Sequence, residues 1–412
     1  MFSKRTAQSR QIDTSVPEAL QTQAAAFPPI GTTLPQPYYT PAGAGADMSP
    51  GDTKAAPAWK KRFKKVLMVL LVVGLLIGGF LGVKVLINAS KTFNGNLFGL
   101  LQQDKLNGED VGRVNILVAG NSADDAGHNG AELTDSIMLI SIDTKNNKAF
   151  MLSIPRDLYV DIPDNGYAKI NEAYPDGEQD GFSENGYAEG GMGLLEKVVS
   201  ENFGIDINYY ALINYTAFKE AVDAVGGIDV TIASSDARGL YDPSRDYSKS
   251  YKAPLVDLTN GKHHLDGQTA LNLARARGDA YGSYGYAQSD YTRTANQRLM
   301  LVALKEKAAS AGVALNPIKV ASLLDSFGNN VKTDFKTSEV RRLFELSKKI
   351  PSNSITSVGL NDVNGKNLLK SYTNSRGQST LIPAAGIDDF SDIQAYLQEL
   401  MTPPAPANNS NQ

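Results

Sequence analysis

The chain has 412 residues, 42% hydrophobic and 20% charged, which gives room for one large or two medium folded domains. A formal net charge of −4 and a pI near 5.6 argue against a general nucleic-acid binder, which needs a basic surface. No cysteine is present, so disulfides and cysteine-ligated metals are excluded.

Residues 1–58 are rich in Pro, Gln, Thr, Ala and Gly and carry little hydrophobic periodicity. Such a segment buries too little apolar area to offset its ordering entropy, and a disordered tail is expected. Val66 to Val83 is free of charge, and Lys84 then precedes Val85-Leu86-Ile87. At 1.5 Å rise per residue, this stretch spans about 27 to 33 Å, enough for a bilayer core, so residues 66–87 read as a membrane helix. Lys60, Lys61, Arg62, Lys64 and Lys65 precede it, with Trp59 beside them. That asymmetry predicts a cytoplasmic N-terminus and an exterior C-terminal part on an uncleaved signal anchor. Residues 89–110 read as a stalk, 111–402 as one exterior domain, and 403–412 as a second disordered tail.

Within the domain, strand and helix signals alternate. Val114–Ala119, Ser136–Ile142 and Lys148–Ile154 read as strands, the last two joined by a turn at Asn146-Asn147. Helical periodicity covers Gly193–Asn202 and Thr216–Val225, and Ile228–Ile232 is a further strand. Gly267–Leu273 and Thr294–Ala309 read as helices, as does Ser338–Lys349 behind a Thr-Ser cap. Ile355–Leu360 reads as a strand and Asp389–Leu400 as a closing helix. The expected fold is α/β, a mixed β-sheet flanked by helices on both faces.

Arg275 and Arg277 lie in Leu-Ala-Arg-Ala-Arg-Gly. On a helix, positions i and i+2 diverge, whereas on an extended segment they share a side. If the helix ends before Gly278 the pair converges, and arginine forks match phosphate oxygens. Spacing alone fits equally well two solvated arginines at a helix C-terminus, where the macrodipole favours positive charge. Asp290, Arg293 and Gln297 form one helical stripe, which also fits a surface ion pair. Arg156 follows Pro155 at the carboxyl end of a strand, where open α/β sheets bind ligands. Lys169 and Asn171 alternate and could share a face. Asp135 opens the second strand, with Asp124 and Asp125 across the loop. Carboxylates beside a phosphate site suit Mg²⁺, and the same residues suit turns and caps. His263 and His264 show no metal spacing and read as structural, in a turn.

Taken in order, these segments resemble the LytR-CpsA-Psr family. The resemblance rests on Val114-Asn-Ile-Leu-Val, Asp135-Ser-Ile-Met-Leu, Ser153-Ile-Pro-Arg-Asp157 and Lys169-Ile-Asn171. It continues through Phe203 to Asn214, Val222 to Val230, His264-Leu-Asp-Gly-Gln-Thr-Ala-Leu, Arg275-Ala-Arg277 and Asp290…Arg293…Gln297.

The resemblance implies a phosphotransferase. It would move an anionic glycopolymer from a polyprenyl-pyrophosphate carrier to a muramic acid hydroxyl of peptidoglycan, forming a phosphodiester. Arg156, Arg275, Arg277 and Arg293 would bind the pyrophosphate, with Lys169 and Gln297 assisting. Asp135 would hold Mg²⁺ or help to activate the acceptor, and the lipid would lie in an apolar channel beneath the sheet. Three positions depart from the family pattern: Ser122 stands where an acidic residue is usual, and Leu133 and Asn296 where arginines are. Either Asp124 or Asp125 replaces the missing carboxylate, or this member uses fewer protein ligands or has weakened transferase activity. The departures keep two other readings open, a non-enzymatic polyprenyl-phosphate-binding envelope protein and a polyprenyl-pyrophosphate pyrophosphatase.

Overall fold

The computed structural model describes residues 104–125, 132–245, 253–287, 289–310 and 330–402. The predicted tails, the membrane helix at 66–87 and most of the stalk lie outside them. Among the described residues no helix is long and apolar enough to cross a membrane.

The strands in chain order are β1 (Arg113–Gly120), β2 (Ser136–Asp143), β3 (Lys148–Ile154), β4 (Tyr159–Ile162), β5 (Gly166–Lys169), β6 (Tyr209–Ile213) and β7 (Ile228–Ile232). They continue with β8 (Leu240–Arg245), β9 (Pro254–Leu258), β10 (Gly261–Leu265), β11 (Val331–Thr333), β12 (Ile355–Val358), β13 (Leu369–Thr373) and β14 (Ser379–Pro383). The α-helices described are α1 (Ala173–Asp180), α2 (Gly190–Phe203), α3 (Tyr215–Ala224), α4 (Gly267–Arg275), α5 (Ser289–Ser310), α6 (Thr337–Lys349) and α7 (Ser391–Met401).

Six strands form the central sheet in the order β11-β6-β1-β2-β3-β12. β1, β2 and β3 form an antiparallel meander, while β6 runs parallel to β1 and β12 parallel to β3. The sheet is therefore mixed, as expected. β1 is almost wholly apolar because both its faces are covered. Leu117 and Ala119 pack with Leu195, Val199 and Phe203 of α2 and Ile393 of α7. Val114 and Ile116 point the other way, onto Phe335 and onto Leu346 of α6. A separate apolar cluster joins β7, β9 and β10 to α4 and α5 through Val230, Val256, Leu265, Leu273 and Met300.

Several expected boundaries move. The helix expected from Thr294 begins at Ser289, and the strand expected to reach Leu360 ends at Val358. α6 has no Thr-Ser cap. Its N-cap is Lys336, whose backbone N–H donates to the Glu339 carboxylate at 2.7 Å. His263 and His264 sit in β10, paired with β7, rather than in a turn. The last residues given to the stalk pack on the domain: Leu106 is buried beside Phe335, and Glu109 pairs with Arg342.

The register brings four chain segments to one end of the sheet. Gly120 closes β1 opposite Ile213, which closes the parallel strand β6. Ser136 opens β2 opposite Gly120, and Ile154 closes β3 opposite Ile137. Adjacent carboxyl ends of parallel strands frame a crevice where ligands bind in α/β sheets.

Candidate functional site

That crevice opens into a cavity of about 430 Å³. Its inner wall is apolar: Val118 and Met138 from the sheet, Phe218 from α3, Leu271 and Ala274 from α4, and Leu301 from α5. Its polar lining holds Asp135, Arg156, Arg275, Arg277, Arg293 and Gln297. Six of the residues singled out in the sequence thus converge on one space.

Local structure explains the convergence. Asp266 starts α4 by accepting the Thr269 N–H at 2.8 Å. The helix ends at Arg275, and Ala276 is extended at φ −65°, ψ 130°. Arg275 therefore leaves from the last helical turn and Arg277 from extended chain, so both reach the cavity. Gly278 follows at φ +70°, where an added Cβ would come within 2.4 Å of the Tyr286 ring. Its N–H donates to the buried Asp242 carboxylate at 3.0 Å, fixing the exit.

Arg156 Nη1 lies 2.6 Å from Asp135 Oδ1. Burial weakens the charge of Arg156, but Asp135, Asp157 and Asp290 outweigh it and raise its pKa. Arg293 is the most enclosed of the four, with only 6% of its side chain exposed. It reaches Asp290 Oδ1 at 2.7 Å and donates to the Asp135 carbonyl at 3.1 Å. Burial lowers its pKa, Asp290 opposes that, and the nearby charges of Arg277 and Arg156 lower it further. The Nε–H groups of Arg156 and Arg293 are buried and make no hydrogen bond among the described residues. Arg277 Nε lies 3.3 Å from Asp290 Oδ1. Arg275 is the loosest, 3.6 Å from Asp125 Oδ2, with its guanidinium 4.6 Å from the centre of the Tyr215 ring. Gln297 donates to the Ala274 carbonyl at 3.0 Å and accepts from Ser136 Oγ at 2.8 Å, tying α5 to α4 and β2.

Three expected residues, Lys169, Asp124 and Asp125, lie outside the cavity lining, and Asp125 meets the site only as the partner of Arg275. Lys169 does not line the cavity; its ammonium lies 2.5 Å from Asp157, one layer behind Arg156. Asp124 accepts the Tyr215 and Thr216 N–H groups at 3.2 and 2.7 Å, so it satisfies open amides at the start of α3. Among the described residues no three Asp, Glu or His side chains group as a metal-ligand set. Among the described residues, Asp135 alone brings a carboxylate to the cavity lining. Mg²⁺ is commonly held by one or two protein carboxylates with substrate phosphates and waters, so the single carboxylate of Asp135 fits the ion when phosphate and water oxygens complete its shell. Ser122, at the usually acidic position, is buried, as is Asn296.

Sequence reading missed Asp290 as the shared partner of Arg277 and Arg293, and Tyr215 beneath Arg275. It also missed Arg298, buried behind the site and donating to Ser153 and Ser357. Asp290 had a usable signal, its i, i+3 spacing to Arg293. Tyr215 and Arg298 had none, because their contacts are formed by the tertiary fold.

The geometry can be set beside known proteins. The chain is 35% identical over 231 residues to the polyisoprenyl-teichoic acid–peptidoglycan teichoic acid transferase TagU of Oceanobacillus iheyensis, a match covering 56% of this chain and 61% of that protein. It is 33% identical over 220 residues to the regulatory protein MsrR of Staphylococcus aureus, covering 53% of this chain and 56% of that one. The chain thus spans about three fifths of the length of these relatives. Among solved structures, one described as TagT bound to LI-WTA superposes with a TM-score of 0.52 at 25% identity, covering 72% of this chain and 93% of the other. The model of the LytR_cpsA_psr family matches residues 87–381, most of the chain, and the protein belongs to that family.

Proposed function

We propose that this protein transfers an anionic glycopolymer from a polyprenyl pyrophosphate to a hydroxyl of peptidoglycan, leaving a phosphodiester. The observation that carries the reading is the cavity itself: four arginines at the polar end of an apolar chamber. A pyrophosphate bearing a long hydrocarbon chain has the same two chemistries in the same order. Kinship with a named teichoic acid transferase supports it. The membrane helix read at 66–87 would hold the domain beside a lipid-borne donor outside the cell.

In this reading Arg156, Arg275, Arg277 and Arg293 hold the pyrophosphate oxygens and spread the charge that develops in transfer. The orphaned Nε–H donors of Arg156 and Arg293 gain acceptors when phosphate binds. Asp135 takes the proton from the acceptor hydroxyl. The acceptor oxygen bonds to the glycopolymer-linked phosphorus, the pyrophosphate P–O bond breaks, and polyprenyl phosphate leaves with the electron pair. Gln297 keeps α5 registered against α4. Mg²⁺, if used, would be held by Asp135 and substrate oxygens and would supply further charge neutralisation.

The test uses the full-length chain in detergent. Arg275→Ala with Arg277→Ala should abolish binding of a polyprenyl pyrophosphate, and unchanged binding would overturn these assignments. One observation favours a second reading, a binding protein without transfer activity: among the described residues Asp135 is the only carboxylate residue lining the cavity. Transfer of a labelled glycopolymer to peptidoglycan would exclude it. Release of lipid phosphate without any acceptor would point instead to hydrolysis.

A further inference from the structure

A second cavity, of about 250 Å³, meets the first at Asn121 and Asn214, which line both. The two lie on opposite faces of the sheet. Along β6, Ile213 faces the first cavity and Leu212 the second, and successive strand residues point to opposite faces. Lys332 of β11 is in register with Leu212 and also lines the second cavity. The partition between the cavities is held in place. Asn214 accepts the Ala217 N–H at 2.9 Å and donates to Asn330 at 2.9 Å, while the Asn121 N–H donates to the Ile213 carbonyl at 3.1 Å.

We propose that this second cavity binds the acceptor glycan. The proposal rests on the transferase reading above and names the position of its second substrate. In a phosphoryl transfer the entering and leaving oxygens lie roughly in line on opposite sides of phosphorus. The apolar chamber takes the departing lipid phosphate on one face, so the acceptor hydroxyl has to arrive from the other side of the arginine mouth. The second cavity, on the opposite face of the sheet and joined to the first at Asn121 and Asn214, is the space that would supply it. Its chemistry is that of a polyol site. Lys332 Nζ lies 3.0 Å from the Tyr174 hydroxyl and 3.3 Å from Glu178 Oε1, and 5.6 Å from the Tyr174 ring centre. With Asn330 and Asn121 they offer interleaved donors and acceptors around an aromatic ring. Among the described lining residues Lys332 is matched by Glu178, and Glu132 adds a second carboxylate, so these residues give the cleft no excess positive charge to draw a second phosphate.

The test measures binding of a peptidoglycan disaccharide, N-acetylglucosaminyl-N-acetylmuramic acid, to the full-length chain in detergent. Lys332→Ala and Glu178→Gln should each weaken disaccharide binding about tenfold, and polyprenyl phosphate binding should stay within about twofold of wild type. Ala123→Trp fills the rim and leaves the Lys332–Glu178 pair intact, so it reads the same site should Lys332→Ala disturb β11. Disaccharide binding that is absent, or equal in all three variants and wild type, overturns the proposal. Lipid binding without disaccharide binding removes the acceptor site and leaves the transferase reading standing. Disaccharide binding that the three variants weaken, in a chain that binds no polyprenyl lipid, supports the glycan site and removes the transferase reading.

Discussion

Charge is withdrawn from water on both faces of the sheet, and the two places handle it differently. At the cavity mouth the buried groups are arginines, with Arg298 close behind. Burial alone lowers the Arg298 pKa to about 10, which still leaves it charged at neutral pH. On the other face the buried groups are carboxyls, Glu196 on α2 and Asp334 after β11. Burial pushes Glu196 up to about 7, against a backbone N–H from Ala188 that favours its anion. Burial likewise pushes Asp334 up to about 6, against the Tyr210 N–H. A buried carboxyl can take a proton and become neutral, whereas an arginine has no such escape. Glu196 and Asp334 therefore need no ligand to balance them. The arginine side has Asp135, Asp157, Asp290 and Asp125 as its acids, and among the described residues the Nε–H groups of Arg156 and Arg293 still make no hydrogen bond. That imbalance makes the arginine face the anion site and leaves Glu196 and Asp334 as structural groups.

The arginine side is tested most directly at Arg293. Arg293→Ala strips Asp290 of its 2.7 Å partner and the Asp135 carbonyl of its donor. The expected loss is about 3 to 5 kcal/mol of stability by chemical denaturation, together with polyprenyl pyrophosphate binding. A loss below about 1 kcal/mol would mean that the guanidinium is as solvated as an ordinary surface arginine. The carboxyl side is tested by pH. Glu196 has a folded pKa above its ordinary value of 4.5, so its contribution to stability is full below that value and is lost as pH rises through about 7. Across that window the wild type should lose about 3 kcal/mol from this group. Glu196→Gln should remove that slope and be the more stable protein at alkaline pH. Denaturation midpoints on both sides of the window decide it, and equal slopes would show that Glu196 is not buried as described.

Arg275 and Arg277 separate binding from stability. They are 36% and 28% exposed, and their acidic partners stand at 3.6 and 3.3 Å. Removing both should cost under about 1 kcal/mol of stability. Binding of a polyprenyl pyrophosphate should fall by about a hundredfold or more, since charge-assisted bonds to phosphate are the strong ones. Equal losses in both measurements would make the pair structural.

The layered fold was legible because period-2 and period-3.6 patterns are local. β3 and β7 have the bounds their apolar runs predict, and the exit of Arg277 follows from the short run between Leu273 and Gly278. The short two-stranded ribbons, such as β4 with β5 and β13 with β14, were not legible. Tyr159–Ile162 and Leu369–Thr373 are too short and mixed to show a period, and their pairing depends on partners brought up by the fold. In the site, residue types were readable and pairings were not. Arg293 could be placed on one stripe with Asp290, yet nothing local shows that Asp290 also meets Arg277. Whether Ser122 is enclosed, or Arg298 lies behind the site, depends on packing between distant segments.

Asp124 is the clearest case of a residue whose type fits two roles. A carboxylate after β1, close to an expected phosphate, suits a metal. The same carboxylate suits a helix start, where open N–H groups and the positive end of the macrodipole favour it. Distance decides: its two oxygens lie 3.2 and 2.7 Å from the amides of Tyr215 and Thr216. Asp124→Ala should therefore cost about 1 kcal/mol of stability, the ordinary loss of a cap. Asn214 still caps the Ala217 N–H in that variant, which keeps the loss small. Any Mg²⁺ dependence of transfer should be unchanged in Asp124→Ala and altered in Asp135→Asn. The reverse pattern would move the metal-facing carboxylate from β2 to the loop after β1. Asp125, which follows Asp124 in that loop and stands 3.6 Å from Arg275, would move with it, so the reverse pattern would bear on the arginine grip as well as reassign the metal.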